Sequence, residues 1–493
     1  MSTMKPVLPL AMAAACTLFS VLNAQADSEV VEGPISGIPV MLGSTFFKLS
    51  TIGYEENEYF ISGTASSYTS DTPLTSDGKW TVRAADQAAY KTRLVVYRPT
   101  DPRKFNGTVV IEWFNVSGGT EAGSDWIMTH NELVRDGYAW IGVSAQKAGI
   151  DGGGINYVGL SLPLKTVAPN RYESLSHPGD RYAYDIYSQA ADAVIHPGAI
   201  NPLGDLRATR AIAVGESQSA DFLLTYVNAL APRDKLFDGY FIHSRLHGSA
   251  GLSPQTTGTS IDWQSRSPVQ VRDDLGVPVM MVQTETDLFG LGSYPDLQPD
   301  SPNFRLWEIA GASHADRYVS DVGLFDSTDS TKGADVKEGH AAVPVLVRCD
   351  QPINSGPQHY VVSAALAALG NWVRTGAAPP QADRLQVDTK TSTIMRDGYG
   401  NALGGIRTPY VDVPVATLSG EGNAGGPNNG VFCGLFGRTQ LFSKVQLSKL
   451  YSNNAGFASK VSTSLNQTLQ NGFLLQPDVA VIEQWAKSFK IGN

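Results

Sequence analysis

The stretch Ala211–Val227, AIAVGESQSADFLLTYV, runs apolar, crosses a crowded turn at Gly215, Glu216, Ser217, Gln218 and Ser219, and resumes with helical spacing. A serine at such a junction fits a nucleophile elbow, where a strained strand-to-helix turn holds the hydroxyl out for attack. An ordinary strand–loop–helix connection reads the same way, because the pattern small-any-Ser-any-small is common. A serine hydroxyl is also too weak an acid to attack unaided and needs a base within hydrogen-bond reach. The elbow reading therefore stands or falls on the other parts of an acyl-transfer site.

Those parts occur in the chain. His314, in EIAGASHAD, has small neighbours that leave its ring room to reach a serine. Between the two, QTETDL offers Glu285 and Asp287 to orient the imidazole. Asp287 is the expected partner, because it stands further past the apolar run and presents a shorter, stiffer side chain; Glu285 is the alternative. An oxyanion hole needs one donor directly after the nucleophile, the Gln218 amide, and one from the loop after an early strand. WFNVSGGT supplies that loop, with the amides of Val116 and Ser117 as candidates and Gly118 and Gly119 allowing close backbone approach.

Other residues carry weaker signals. His243 and His247 have a spacing that zinc could use, but no HExxH pattern surrounds them, and no metal or cofactor is expected. His243 and Arg245 follow a strand end, where they either line the pocket as substrate-binding residues or serve a structural role. Glu112, inside a strand, reads as a member of a buried ion pair with no part in the chemistry.

Elements must bring these groups together. GTVVIEWFNV, AWIGVSAQ, ATRAIAVG, FDGYFIHS, VPVMMVQTE and NFRLWEIAGASH read as strands. SDWIMTHNELVRDGY, RYAYDIYSQAADAVI and SADFLLTYVNAL read as intervening helices, the first with Ser124 as N-cap and Gly137 as terminator. Strands alternating with helices imply a mainly parallel α/β sheet, with functional groups at the carboxyl ends of its strands. The order Ser…acid…His is the one used by the α/β-hydrolase fold.

The chain also resembles the bacterial α/β-hydrolase-domain proteins. EWFNVSGG, ELVRDGYAWIGVSAQ, GESQSA, FDGYFIHSR, QTETD, GASHAD and the terminal GFLLQPD carry the resemblance. It implies an α/β-hydrolase fold and a serine hydrolase mechanism, with Ser217 as nucleophile, His314 as base and the acid in QTETD.

The chain has 493 residues, 42% of them hydrophobic and 17% charged, enough for a sizeable core. Its net charge of −10 argues against a nucleic-acid or anionic-membrane binder, which needs clustered Lys and Arg. At the N-terminus, Lys5, the apolar run Val7–Leu22 and Ala24-Gln25-Ala26 form a secretory signal cleaved before Asp27, and the run is short for a membrane span. A lipoprotein cut before Cys16 is the rival. Cleavage at Asp27 leaves Cys349 and Cys433, an even pair expected to bridge in an oxidising compartment, periplasmic or extracellular.

The expected organisation is a signal at 1–26, an N-terminal β extension at 27–106, an α/β-hydrolase core at 107–320 with a lid insertion at 246–276, and a C-terminal accessory region at 321–493. The expected function is hydrolysis of a small-molecule or oligomeric carboxylic ester by an exported serine hydrolase, with no nucleic acid, membrane span or obligate protein partner. C–C bond hydrolysis or acyl transfer on the same fold is one alternative, and a non-catalytic binding protein with a hydrolase shell is another.

Overall fold

The computed structural model describes Met1 and residues 29–154, 161–254, 263–327, 331–339, 348–425 and 430–491. The signal segment with Cys16, and residues 255–262 of the expected lid, lie outside the described residues.

Nine strands form one sheet: β1 (Val30–Glu32), β2 (Tyr54–Thr69), β3 (Arg83–Pro99), β4 (Thr108–Trp113), β5 (Ala139–Val143), β6 (Arg210–Glu216), β7 (Gly239–His243), β8 (Val279–Thr284) and β9 (Phe304–Ile309). Their spatial order is β1-β2-β3-β5-β4-β6-β7-β8-β9. The long β2–β3 hairpin joins antiparallel to β5, and from β5 to β9 every neighbour is parallel. The parallel strands are buried on both faces, which is why their sequences are near-continuous apolar runs.

The two faces are covered by different helices. Val109, Ile111, Ala211 and Ala213 pack with α2 (Ala183–Ile195) and α3 (Gln218–Ala229). Val110, Ile212 and Val214 pack with α1 (Ser124–Arg135) and α5 (Gln358–Thr375). The mainly parallel α/β sheet expected from the strand–helix alternation is the one observed, and it agrees with the α/β-hydrolase fold that the resemblance implies.

Three details depart from the sequence reading. Helix α5, assigned above to the accessory region, is a core layer: Val361, Val362, Leu366 and Leu369 share a cluster with Phe241, Met280 and Trp307 of the sheet. Ser124 is the first residue of α1 rather than its cap. The cap comes from Glu112 on β4, whose carboxylate accepts from the Asp125 and Trp126 amides at 2.9 and 3.0 Å and from Trp140 Nε1 at 2.8 Å. Glu112 thus satisfies orphan helix amides instead of joining an ion pair.

Beyond the sheet, α7 (Asn454–Gln470) and α8 (Gln476–Ser488) pair over their own core of Phe457, Val461, Ile482 and Trp485. A short helix, α4 (Glu285–Phe289), follows β8, and another, α6 (Val431–Leu435), carries Cys433, which is bonded to Cys349.

Candidate active site

Register brings the strand ends together. Glu216 at the end of β6 pairs with His243 on β7, and Thr284 at the end of β8 pairs with Ile309 on β9. Residues just past β6, β8 and β9 therefore emerge at one sheet edge, the carboxyl edge where α/β sheets carry their sites.

Ser217 sits on a strained turn, with φ 59° and ψ −124°. Its amide donates to the His243 carbonyl at 2.9 Å, and its carbonyl accepts the Asp221 amide at 3.2 Å as α3 begins. Gly215 makes the turn possible, since a Cβ there would lie 2.9 Å from the Ser219 carbonyl oxygen. Ser219, the other serine of the turn, is fully buried.

Ser217, His314 and Asp287 converge. Ser217 Oγ is 2.8 Å from His314 Nε2, and His314 Nδ1 is 2.7 Å from Asp287 Oδ1. The His314 backbone is pinned at both ends: its amide donates to Thr286 Oγ1 at 3.1 Å, and its carbonyl accepts from Gln358 Nε2 at 3.3 Å. With a carboxylate accepting at Nδ1, the neutral ring carries its proton there and presents the Nε2 lone pair to the Ser217 hydroxyl. Burial alone would lower the His314 pKa, but the Asp287 hydrogen bond and charge, with the charge of Glu216, raise it above 6.5.

The acid is placed differently from expectation. Asp287 is not on a freely reaching loop; it stands in the first turn of α4, where its Oδ2 accepts from the Thr284 amide and hydroxyl at 2.6 and 2.9 Å. Glu285, two residues earlier, faces elsewhere, as i and i+2 on a helix must. Its carboxylate accepts from the Gly311 amide at 2.6 Å, the Gly420 amide at 3.1 Å and Arg396 Nη2 at 3.0 Å. Burial raises its pKa against the Arg396 charge.

The oxyanion candidates divide. The Gln218 and Val116 amides have no hydrogen-bond partner among the described residues. The Ser117 amide is already committed to Asn115 Oδ1 at 2.8 Å, which removes it as a free donor. Asn115, missed in the sequence, ties this loop to the elbow, with Nδ2 donating to the Glu216 carbonyl at 3.1 Å and to Glu216 Oε2 at 3.0 Å.

His243 and Arg245 do not line the pocket. His243 is fully buried against Asp125, Nδ1 to Oδ1 at 2.9 Å, and burial lowers its pKa to about 4. The Arg245 guanidinium, also buried, donates to the Leu246, Val269 and Gly248 carbonyls and pairs with Asp296 at 3.3 Å. His243 ends β7 and Arg245 follows two residues later, and both side chains are buried in the fold rather than directed out of the sheet edge. His247 pairs with Asp296 at 2.8 Å, so the two histidines serve separate carboxylates.

A cavity of about 190 Å³ opens over Ser217. Asn115, Glu216, Ser217 and His314 form its polar floor, and Val319, Phe432, Leu435 and Phe436 its apolar wall. Phe432, Leu435 and Phe436 belong to the disulfide-bearing α6 region and Val319 to the segment after β9, and no described residue of the insertion at 246–276 lines the cavity. Described residues of that insertion, Val269 and Val271, pack instead into the core under the sheet. A larger open groove of about 1250 Å³, between residues 380–413 and α7, shares no lining residue with this cavity and holds no nucleophile–base pair among the described residues.

A family model described as an alpha/beta hydrolase domain matches residues 27–484. No curated protein matches the sequence. Among solved structures, the chain is similar to a provisionally assigned dienelactone hydrolase of Klebsiella pneumoniae, at 13% identity over 54% of this chain and 92% of that one, TM-score 0.30. It is also similar to the esterase Est22, at 14% identity over 52% of this chain and 72% of that one, TM-score 0.26. A thermostable esterase of Pseudomonas putida matches at 14% identity over 49% and 66%, TM-score 0.25.

Proposed function

The chain belongs to the alpha/beta hydrolase domain family, and from that premise we propose that it is an exported serine hydrolase cleaving a carboxylic ester through an acyl-enzyme. The observation that carries this reading is the unbroken hydrogen-bond path from Ser217 Oγ through His314 to Asp287.

In the first step Ser217 Oγ attacks the ester carbonyl carbon while its proton passes to His314 Nε2. Asp287 holds the ring's other nitrogen and offsets the imidazolium charge. The carbonyl oxygen becomes an oxyanion facing the Gln218 and Val116 amides, whose open valences suit them to receive it. Collapse breaks the bond to the alcohol, which leaves with the proton from Nε2. A water then repeats the sequence on the acyl-enzyme, giving the carboxylic acid and restoring the Ser217 hydroxyl. The size and apolar wall of the cavity favour esters with a compact apolar group next to the carbonyl.

Export is supported by the leader read in the sequence and by a buried disulfide, the kind of bond that persists in oxidising compartments. The activity is tested with a chain-length series of 4-nitrophenyl esters against wild type and Ser217→Ala. Hydrolysis of the short esters should fall by several orders of magnitude in the variant. Turnover near that of wild type would refute the proposal.

A further inference from the structure

Glu216 takes no part in the steps above, yet it lies closer to them than any catalytic scheme of three residues requires. It directly precedes Ser217, lines the cavity floor and is 9% exposed. Its Oε1 is 3.4 Å from His314 Nε2, the nitrogen that receives the serine proton, whereas Asp287 holds Nδ1 on the other side of the ring. Its Oε2 is fixed by Asn115 Nδ2 at 3.0 Å, and the Ser124 hydroxyl, which lines the same cavity, favours the ionised carboxylate.

This position has two chemical consequences. Before attack, Nε2 presents a lone pair, and a carboxylate beside it gains nothing. After proton transfer Nε2 carries N–H⁺, and the same carboxylate attracts it. An interaction that strengthens only as charge develops lowers the barrier rather than merely binding substrate. The second consequence concerns the substrate. The other lining residues include no Lys or Arg among the described residues, so a buried carboxylate there sets a negative potential in a low-dielectric space. An ester bearing its own carboxylate would meet like charge without a counter-ion.

The groups around Glu216 determine whether it carries that charge. Burial favours its protonated form, and Asp125 at the start of α1 acts in the same sense. His314 beyond β9 favours ionisation once it is protonated, as do the donors from Asn115 and Ser124, while His243 on β7, held neutral by burial, adds no charge; burial leaves the Glu216 pKa raised above the usual carboxylate value.

We propose that Glu216 is a specificity-determining residue, whose carboxylate makes this site select neutral or cationic esters over anionic ones and stabilises the imidazolium formed at His314. The proposal rests on the serine-esterase reading above.

The test compares 4-nitrophenyl butyrate with mono-4-nitrophenyl succinate, which is similar in length but carries a carboxylate. In Glu216→Gln an acceptor for Asn115 remains and the charge is lost. The succinate-to-butyrate ratio of kcat/KM should rise about tenfold or more, since like-charge contacts in a desolvated site cost at least that much. The acid limb of the butyrate kcat/KM profile should move down by about one pH unit, because a charge that raises the proton affinity of His314 is gone. An unchanged ratio overturns the proposal, whatever the acid limb does. Should the variant not fold, wild type is labelled with size-matched cationic, neutral and anionic phosphonates. Faster labelling by the cation than by the anion supports the role of Glu216, because an apolar pocket alone would disfavour both ions. Equal cation and anion rates overturn it while leaving the esterase reading intact, and no labelling of Ser217 by any of the three removes both.

Discussion

Replacing Asp287 with Asn separates the orienting acid from its neighbour Glu285 with a small change in volume. Asp287 uses both oxygens: Oδ1 accepts from His314 Nδ1 at 2.7 Å, while Oδ2 accepts from the Thr284 amide and hydroxyl at 2.6 and 2.9 Å. An Asn side chain has only one acceptor oxygen, and the Thr284 amide, a fixed donor at the start of α4, demands it. The Asn NH2 group then faces His314 Nδ1, so the neutral ring must carry its proton on Nε2. In that tautomer it has no lone pair for the Ser217 proton. The same loss of tautomer control in a Ser-His-Asp site lowers kcat by about 10⁴, equivalent to about 5 kcal/mol of transition-state stabilisation. The assay is kcat for 4-nitrophenyl butyrate, with folding checked by thermal melting. Glu285→Gln provides the contrast. It leaves Arg396 and the Gly311 and Gly420 amides poorly matched and should lower Tm, but the folded fraction should keep kcat within about tenfold of wild type. If Glu285→Gln loses about 10⁴ in kcat while Asp287→Asn does not, the tautomer argument is wrong and the two acids exchange roles.

Three further outcomes are expected. The Cys349–Cys433 bond spans a sequence separation of 84 and backs the wall formed by Phe432, Leu435 and Phe436, so Cys433→Ser should lower stability by about 4 kcal/mol in the chain-entropy model. Denaturant melts should show this, and unreduced, denatured wild type should contain no titratable thiol. Arg245→Met leaves Asp296 buried without its guanidinium and should destabilise by about 3 kcal/mol, with KM for butyrate esters unchanged; a raised KM at full stability would return Arg245 to the pocket. Export predicts that intact-mass analysis of the secreted protein finds Asp27 at the N-terminus, and a diacylated Cys16 would make it a lipoprotein instead.

Much of the core was readable because buried parallel strands announce themselves as apolar runs. Less readable was anything decided by contacts across the chain. Glu112 caps α1 from a neighbouring strand, and no spacing near Ser124 reveals that. The Gly- and Ser-rich insertion at 246–276 looked like a cover, yet Val269 and Val271 anchor it to the core, and the aromatic part of the wall over Ser217, Phe432 and Phe436, comes from residues more than a hundred positions later. A pairing of Cys349 with Cys433 could be read from their number, but not what the bridge supports. Arg245 was misplaced because a strand end can point its side chain outward or back into the fold, and only the partners Asp296 and Val269 decide. The helical setting of Asp287 did leave a trace, since Thr284 and Asp287 have the spacing of a capping box. Asn115 and Glu216 left none that distinguishes them from loop polar residues, because their importance lies in the bond they make to each other.

The central claim is that Ser217 is the nucleophile. It is tested most directly by treating the folded protein with a neutral fluorophosphonate and mapping the adduct by peptide mass spectrometry. A single adduct on Ser217, absent in Ser217→Ala and slowed in Asp287→Asn, is the result this account requires. Labelling that persists in Ser217→Ala, or an adduct on Ser219, would contradict it.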